Sequence, residues 1–416
     1  MAFERPRGVR DFLPEEMAER GYVERKLTAA FESYGYRRVQ TPTFEFLELF
    51  SLKSGDDIRE HLYIMEDKGG RKLCLRPEAT ASVARMYASD MRVRPKPLRL
   101  YYTGPMFRYE EPQKGRYREF WQAGVELLGL TGPRADAEVI ALVHDSLRSL
   151  GLKFTLRVSH IGVLRSLLKR QGFDQAEQDR VIRALDKGDT TFVREHVKDP
   201  AFHTLLELKG GVEAVGGAER LAQAEDVKSM LSGLKETLTL LTSAGVGYSV
   251  DFSMARGLDY YTGVVFDARV EGLGAQNQVL GGGRYDDLVQ LFGGPQTPAV
   301  GFAFGMDRLA EAVKQQGGHL PGLRTDAYVI PASDAAADAA FTVAAGLRRA
   351  RPELVVALEL SGRKLNRALQ HASETGARYA VIVGEAELKA GSVIIKDMKA
   401  ATQETVSIND LPNKIL

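Results

Sequence analysis

Residues 107–126 read FRYEEPQKGRYREFWQAGVE. Both ends alternate aromatic or aliphatic residues with charged ones, the rhythm of a strand, and the middle, EPQKGRY, has the proline, glycine and charges of a long hairpin loop. LRLYYTGPM leads in from Leu98 and ELLG leads out to Gly129, so two adjacent antiparallel strands are expected. Side chains repeat every second residue along a strand, which puts Phe120, Gln122, Gly124 and Glu126 on one face. A ring, an amide and a carboxylate together make a poor core surface and a good pocket floor. The same residues read equally well as a solvated hairpin with cross-strand ion pairs.

The chain has 416 residues, too many for one core, so two or three domains are expected. Hydrophobic residues at 44% and charged residues at 27% are near the averages of soluble globular proteins and argue against disorder, fibrous repeats and membrane residence. No apolar run approaches the roughly 18 residues that span a bilayer, and MAFERPRGVRDFLPEE lacks the apolar segment of a signal peptide. A cytoplasmic protein with no membrane partner is the expectation. The one cysteine, Cys74, excludes an internal disulfide and a thiolate-rich zinc site, and seven scattered histidines show no HExxH spacing, so no protein-bound metal is expected. With a net charge of +1, a nucleic acid would have to be met by a local patch.

Upstream, apolar spacing over Ala18–Phe31 predicts a helix ended by Gly35, and RRVQTP then alternates as a strand up to Pro42. Residues 160–244 are helical in texture and polar, a module inserted in a β-rich domain. Strands resume at GYSVDFS and VVFDARV, and TPAVGFAFGMDRLAEAVKQQGG reads as a strand feeding a helix. GGHLPGLRTD, residues 317–326, separates two textures. Beyond it strand and helix alternate, predicting a compact α/β unit with a mainly parallel sheet. The domains are therefore 1–324, with the helical insertion at about 160–244, and 325–416.

Neither GxxxxGK[ST] nor GxGxxG after a strand occurs, and GxSxG is absent. Any nucleotide phosphates would have to be held by side chains, for which arginine is best shaped. Three further stretches offer chemistry, each with a plainer reading. LRPEATASVAR, residues 75–85, opens a helix with Glu78 and Thr80, which also fit a capping pair after Pro77. RGLDYYTG, residues 256–263, sets Arg256 ahead of Tyr260 and Tyr261, as a surface cation–π contact also would. GGGRYDDL, residues 281–288, and GFAFGMDRL, residues 301–309, read also as a tight turn and as a helix start whose Arg308 is solvated.

Their order in one chain is specific. PRGVRDFLP, RRVQTP, FRYEEPQKGRYREFWQ and GFAFGMDRL resemble the opening peptide and three motifs of class II aminoacyl-tRNA synthetases, and RGLDYYTG and GGGRYDDL resemble two signature peptides of the histidyl-tRNA synthetase family. The resemblance implies an α+β fold: a class II antiparallel-sheet catalytic domain with a helical insertion, plus a C-terminal α/β anticodon-binding domain. It implies ATP accompanied by Mg²⁺, L-histidine and tRNA(His) as substrates, and a homodimer with contacts near Tyr34 to Pro42. The catalytic set would be Arg108 beside the α-phosphate, Arg308 toward the phosphate tail, and Arg256 across the site, where relatives use a metal ion. Glu126 and Tyr261 would read the imidazole, with Tyr260 and Tyr285 as walls, and Glu78, Thr80 and Gln122 would meet the α-amino group. Phe120 would stack on adenine, with Glu110 and Arg116 also at the nucleotide. Gln113, Lys114 and Arg116 would approach the acceptor end of the RNA. Arg363 and Arg367, opposite a buried stripe of Leu365, Ala368, Leu369 and Ala372, would meet anticodon-stem phosphates. The basic run RVRPKPLR, residues 92–99, fits RNA or a solvated loop equally.

Two positions depart from the family pattern: Glu111 stands where a basic residue is common, and Asp307 where glutamate is common. Two rival readings remain at this point. One is a non-catalytic regulatory paralogue serving ATP phosphoribosyltransferase, although such paralogues tend to lose the last domain and parts of the signature peptides. The other is a synthetase for glycine, proline or threonine, against which RGLDYY and GGGRYDDL argue.

Overall fold

A computed structural model of the chain describes residues 3–52, 60–111, 117–221, 224–256, 259–274 and 277–415. The chain divides into two compact units, one of Met1–Leu13 with Glu19–Leu320 and one of Pro14–Ala18 with Pro321–Leu416.

The larger unit is built on a sheet. Its strands in chain order are β1 (Arg37–Arg38), a small separate sheet of β2 (Phe44–Phe46), β3 (Ile64–Glu66) and β4 (Lys72–Leu75), then β5 (Leu98–Phe107), β6 (Glu119–Leu128), β7 (Phe154–His160), β8 (Lys209–Gly210), β9 (Ser249–Asp251), β10 (Val264–Val270), β11 (Gln278–Arg284) and β12 (Ala299–Gly305). Among the described residues the main sheet runs β1-β5-β6-β12-β11-β10-β7-β9-β8. The hairpin expected around residues 107–126 is present, with Leu98 opposite Leu128 and Phe107 opposite Glu119. The RRVQTP stretch is a strand only at Arg37 and Arg38, which pair in parallel with β5.

Two long helices cover the sheet. Helix α1 (Pro14–Ser33) buries Val23, Leu27 and Phe31, and the Phe31 ring lies 6.0 Å from Phe302 and 6.5 Å from Phe304 of β12. Between them, Thr80–Met86 forms a short helix, α2. Helix α3 (Pro133–Ser149) buries Val139, Ile140, Leu142, Val143 and Leu147, the one-face periodicity of a helix on a sheet. Residues 161–243 hold the inserted helices, beginning with α4 (Ile161–Arg170) and α5 (Gln175–Lys187) and ending with α6 (Glu225–Ser243), which packs on α3. Asp174 and Glu177 form a reciprocal capping box that starts α5, and Gly188 in the left-handed region (φ 74°) ends it. Past β12 the chain turns directly into α7 (Met306–Gln315), the strand-to-helix transition expected from TPAVGFAFGMDRL.

The glycine triplet of GGGRYDDL differs from the tight turn its composition suggests. Gly281, Gly282 and Gly283 lie mid-strand in β11, opposite Asp267, Phe266 and Val265. Glycine is there for space, as the cavity below makes clear.

The smaller unit has five strands, β13 (Thr325–Pro331), β14 (Val356–Leu358), β15 (Ala377–Val383), β16 (Ser392–Asp397) and β17 (Thr402–Ser407), ordered β14-β13-β15-β16-β17. The first three are parallel, as the alternation of strand and helix predicts. The last two are antiparallel. Only residues 384–391 separate β15 from β16, too few for a parallel crossover of a dozen or more residues. Helix α8 (Ala337–Ala350) and helix α9 (Leu365–Glu374) flank the sheet, with Ala368 and Ala372 buried and Leu365 and Leu369 packed beside them.

On β7, Arg157 is a mostly covered hub with a side-chain exposure of 15%. Its Nε donates to Asp267 at 2.9 Å and its Nη1 to Asp251 at 2.8 Å, tying β10 and β9 to β7. Removing one partner of a buried pair leaves uncompensated charge. Arg157→Ala is therefore expected to lower unfolding stability by about 3–5 kcal/mol, measured by urea denaturation; a loss below about 1 kcal/mol would show that water reaches the two carboxylates.

Candidate active site

A cavity of about 530 Å³ opens on the exposed face of the central strands. Arg108, Arg256 and Arg308, which are far apart in sequence, all line it, together with Glu78, Thr80, Glu110, Phe120, Gln122, Tyr260, Tyr261 and Tyr285. They arrive from several elements. Glu78 and Thr80 enter at the start of α2, Phe120 and Gln122 project from β6, Tyr285 follows β11, and Arg308 sits in the first turn of α7.

Several of these groups are held before any ligand enters. Arg108 donates through Nε to Pro77 O at 3.0 Å and lies 5.2 Å over the Phe120 ring, while its Nη1 is 3.9 Å from Glu110. Arg308 Nη1 donates to Gln278 O at 2.9 Å. The Glu78 carboxylate accepts from the backbone N–H groups of Thr80 at 2.5 Å and Ala81 at 3.0 Å, so it caps the start of α2 while lining the cavity. Gln122 Oε1 and Arg256 Nε are buried and have no hydrogen-bond partner among the described residues. Unpaired polar atoms on a cavity wall are the mark of a surface that waits for a polar ligand.

Glu126 is the exception among the expected pocket residues. It is fully buried and does not line the cavity. Its Oε1 accepts from Thr80 Oγ1 at 2.7 Å and from Tyr102 OH at 3.5 Å, and its Oε2 accepts from Tyr285 OH. Burial pushes its carboxyl up to about 8, against the hydrogen bonds from Tyr285 and Thr80. Only Gly301 separates it from the cavity on one side, since a side chain there would collide with Oε2.

Glycines do the same elsewhere. A Cβ on Gly281 would occupy the space of the Arg256 guanidinium, and one on Gly283 would lie 2.8 Å from the Tyr261 ring. Tyr260 packs its ring 5.0 Å from Tyr261 and 5.8 Å from Tyr285, and burial raises all three phenols, so they stay neutral donors. A wall of three phenols backed by a carboxyl suits a small polar ring.

Some expected residues lie elsewhere. Gln113, Lys114 and Arg116 fall outside the described residues. Arg363 precedes α9 and does not stand on its face; its Nη1 is tied to the buried Glu359 at 3.0 Å, which leaves it less able to meet phosphate than its exposure suggests. Arg367 is in α9, in the smaller unit. The two departures from the family pattern have partners near the chain start: Asp307 accepts from Arg10 Nη2 at 3.2 Å, and Glu111 from Arg7 Nη2 at 3.4 Å. Sequence reasoning missed Arg269 and Asp186, which also line the cavity. A lone arginine in the apolar run VVFDARV was the available signal for the first; nothing local marked the second.

An antiparallel sheet whose cavity gathers three arginines, in a chain with neither a P-loop nor a Rossmann turn, fits a class II aminoacyl-tRNA synthetase. Comparison with known proteins narrows the class. The Histidyl-tRNA synthetase family matches residues 8–309, and the Anticodon binding domain family matches residues 326–416. The histidine–tRNA ligase of Archaeoglobus fulgidus is 45% identical over 420 residues, 99% of each chain. Among solved structures, apo histidyl-tRNA synthetase of S. aureus superposes with a TM-score of 0.74 at 28% identity over 100% of both chains. An ATP phosphoribosyltransferase regulatory subunit/histidyl-tRNA synthetase from Bacillus halodurans superposes at 0.79 with 31% identity, covering 92% of this chain and 99% of its own. The chain belongs to the histidyl-tRNA synthetase family.

Gly281→Ala is expected to keep the fold, because the conflict is with the free end of the Arg256 side chain, and to lower turnover about 10²-fold by displacing that guanidinium; steady-state kinetics beside a thermal melt checks both. Glu126 provides a pH test. Its carboxyl is raised in the fold, so its neutral form contributes stability that is present below its ordinary value of 4.5 and lost as pH rises through about 8. The melting temperature of Glu126→Gln minus that of the wild type should grow from about pH 5 to about pH 8. A difference constant with pH would contradict the raised value.

Proposed function

We propose that this chain activates L-histidine with ATP and transfers it to tRNA(His). The histidine carboxylate oxygen attacks the α-phosphorus, a P–O bond to the β-phosphate breaks, and pyrophosphate leaves with its electron pair. The 3′-terminal ribose hydroxyl then attacks the acyl carbon, and AMP departs with the oxygen that joined them. What supports this reading is the convergence of Arg108, Arg256 and Arg308 on one cavity that also carries an amine-binding corner and a phenolic wall.

Negative charge grows on the α-phosphate oxygens in the transition state, so fixed guanidinium groups lower its energy, each worth on the order of 3 kcal/mol by analogy with oxyanion-hole donors. Arg108 and Arg256 take that role here, and Arg308 holds the departing tail. Phe120, already beneath Arg108, offers its ring to adenine, with Glu110 and Arg116 at the nucleotide. Glu78, Thr80 and Gln122 take the ammonium. Tyr261 meets the imidazole with Tyr260 and Tyr285 around it. Glu126 acts from behind, holding Thr80 and Tyr285 and exchanging a proton with that network. Hydrogen bonding to both ring nitrogens rejects wrong side chains because they leave buried groups unpaired.

Among the described residues no three His, Cys, Asp or Glu side chains gather as a metal site. The Mg²⁺ that ATP carries would be held through phosphate oxygens, with Glu110 among the acids that line the cavity. Residues 1–324 form the catalytic domain in this reading and 325–416 the anticodon reader, with Gln113, Lys114 and Arg116 at the acceptor end and Arg367 the better placed of the two α9-side arginines. A homodimer goes with the reading, with contacts near Tyr34 to Pro42, a stretch in which Arg37, Arg38, Gln40 and Pro42 are exposed. Among the described residues no helix is long and apolar enough to cross a membrane, in keeping with a cytoplasmic site of action.

Labelled pyrophosphate should exchange into ATP only when histidine is present. Silence with every amino acid would favour the regulatory paralogue, and a response to glycine, proline or threonine would favour a different synthetase. Arg256→Ala is expected to lower kcat for activation about 10²-fold with little change in histidine affinity. Lost histidine affinity with normal kcat would contradict its role.

A further inference from the structure

Arg256, Tyr260 and Tyr261 belong to one short connection between β9 and β10, and the inserted helices grip it from outside. Arg183 of α5 donates through Nη1 to Asp259 Oδ2 at 2.8 Å. Asp259 stands three residues after Arg256 and immediately before Tyr260. The pair is well covered, with side-chain exposures of 26% for Arg183 and 10% for Asp259, so it is shielded from the solvent that makes surface pairs weak.

The contact is embedded in a larger set of charges. Asp179, one turn before Arg183 on α5, pairs with Arg165 of α4 at 2.6 Å, with exposures of 17% and 13%. Arg165, Asp179, Arg183 and Asp259 thus alternate in sign across two inserted helices and the loop. Asp186, three residues after Arg183 and on the same helical face, lines the cavity itself. The insertion therefore reaches the site twice, once through a wall residue and once through an ion pair on the loop that carries the phosphate-facing guanidinium. Burial pushes the Asp259 carboxyl up to about 6; Arg183 opposes that rise, Asp179 adds to it and Arg165 opposes it. Its Oδ1 is buried without a hydrogen-bond partner among the described residues, and Arg183, with Arg165 as the weaker contributor, compensates the charge.

We propose that Arg183 and Asp259 are positioning residues: through this ion pair, the inserted helix α5 sets where Arg256 and the two tyrosines stand, so that the insertion governs the rate of histidine activation. The proposal rests on the activity argued above and deepens it. The pair touches no substrate. Its effect is on the geometry of groups that do, and a displacement near 1 Å at such groups costs as much as 10²-fold in rate.

The test is histidine-dependent pyrophosphate exchange by the full-length protein with Arg183→Ala, Arg183→Lys, Asp259→Asn and the double variant Arg183→Ala/Asp259→Asn, each with its melting temperature. Arg183→Ala should lose about tenfold or more in kcat, with the KM for ATP within about twofold and melting well above the assay temperature. Arg183→Lys, which keeps the charge, should recover most of the rate. The double variant should be no slower than the slower single one, since both changes remove one interaction. Wild-type kcat in Arg183→Ala, losses that multiply in the double variant, or rates that fall only where the protein is melting would each overturn the coupling. If the wild type exchanges with histidine and the variants match it, the coupling alone fails; if the wild type is silent with histidine, the activity argued above fails and the coupling with it.

Discussion

A carboxyl group shut off from water, that of Glu126, fastens together hydroxyls from three separate stretches of chain. Thr80 comes from the start of α2, Tyr102 from β5 and Tyr285 from the residue after β11. An unpaired polar group in such a place is costly, whereas a fully partnered one fixes geometry. The residues that satisfy Glu126 also line the cavity, so burying it orders that part of the wall. This links core and site: the sheet cannot be completed without presenting Thr80 and Tyr285 at fixed positions.

The second constraint is room. A sheet face crowded with β-branched residues has no place for an arginine lying flat on it. Gly281 clears the floor for Arg256, Gly283 clears it for Tyr261, and Gly301 leaves room for the Glu126 carboxyl. Weakening strands with glycine is unfavourable locally. Here the two strands concerned are paired on both sides, β11 between β10 and β12 and β12 between β11 and β6, so the ladder tolerates the loss.

Those two constraints explain what could be read from the amino-acid sequence. The β5–β6 hairpin was legible because a two-residue period and a polar loop are local properties, and the shared face of Phe120, Gln122, Gly124 and Glu126 follows from them. That Glu126 lies behind the wall was not legible, because burial there depends on Tyr102 and Tyr285 arriving from elsewhere. Gly281–Gly283 looked like a turn because composition cannot distinguish a glycine needed for its dihedral angles from one needed for its missing side chain. Arg363 was read as a phosphate contact from helical spacing alone; the burial of Glu359 beside it appears only in the folded sheet, where Tyr328 donates to Glu359 at 2.7 Å. The antiparallel β16–β17 edge, by contrast, was readable in principle from the short spacers. Asp186 and Arg183 were beyond reach, since the helices that carry them show only ordinary amphipathic patterning.

The account stands on one arrangement, three guanidinium groups around a triphosphate beside a phenolic pocket for an imidazole. A crystal structure of the protein soaked with histidine and a non-hydrolysable ATP analogue measures it most directly. The account predicts the α-phosphate within hydrogen-bond reach of both Arg108 and Arg256, the tail against Arg308, and the imidazole against Tyr261. A nucleotide bound outside this cavity, or an α-phosphate that meets neither Arg108 nor Arg256, would contradict it.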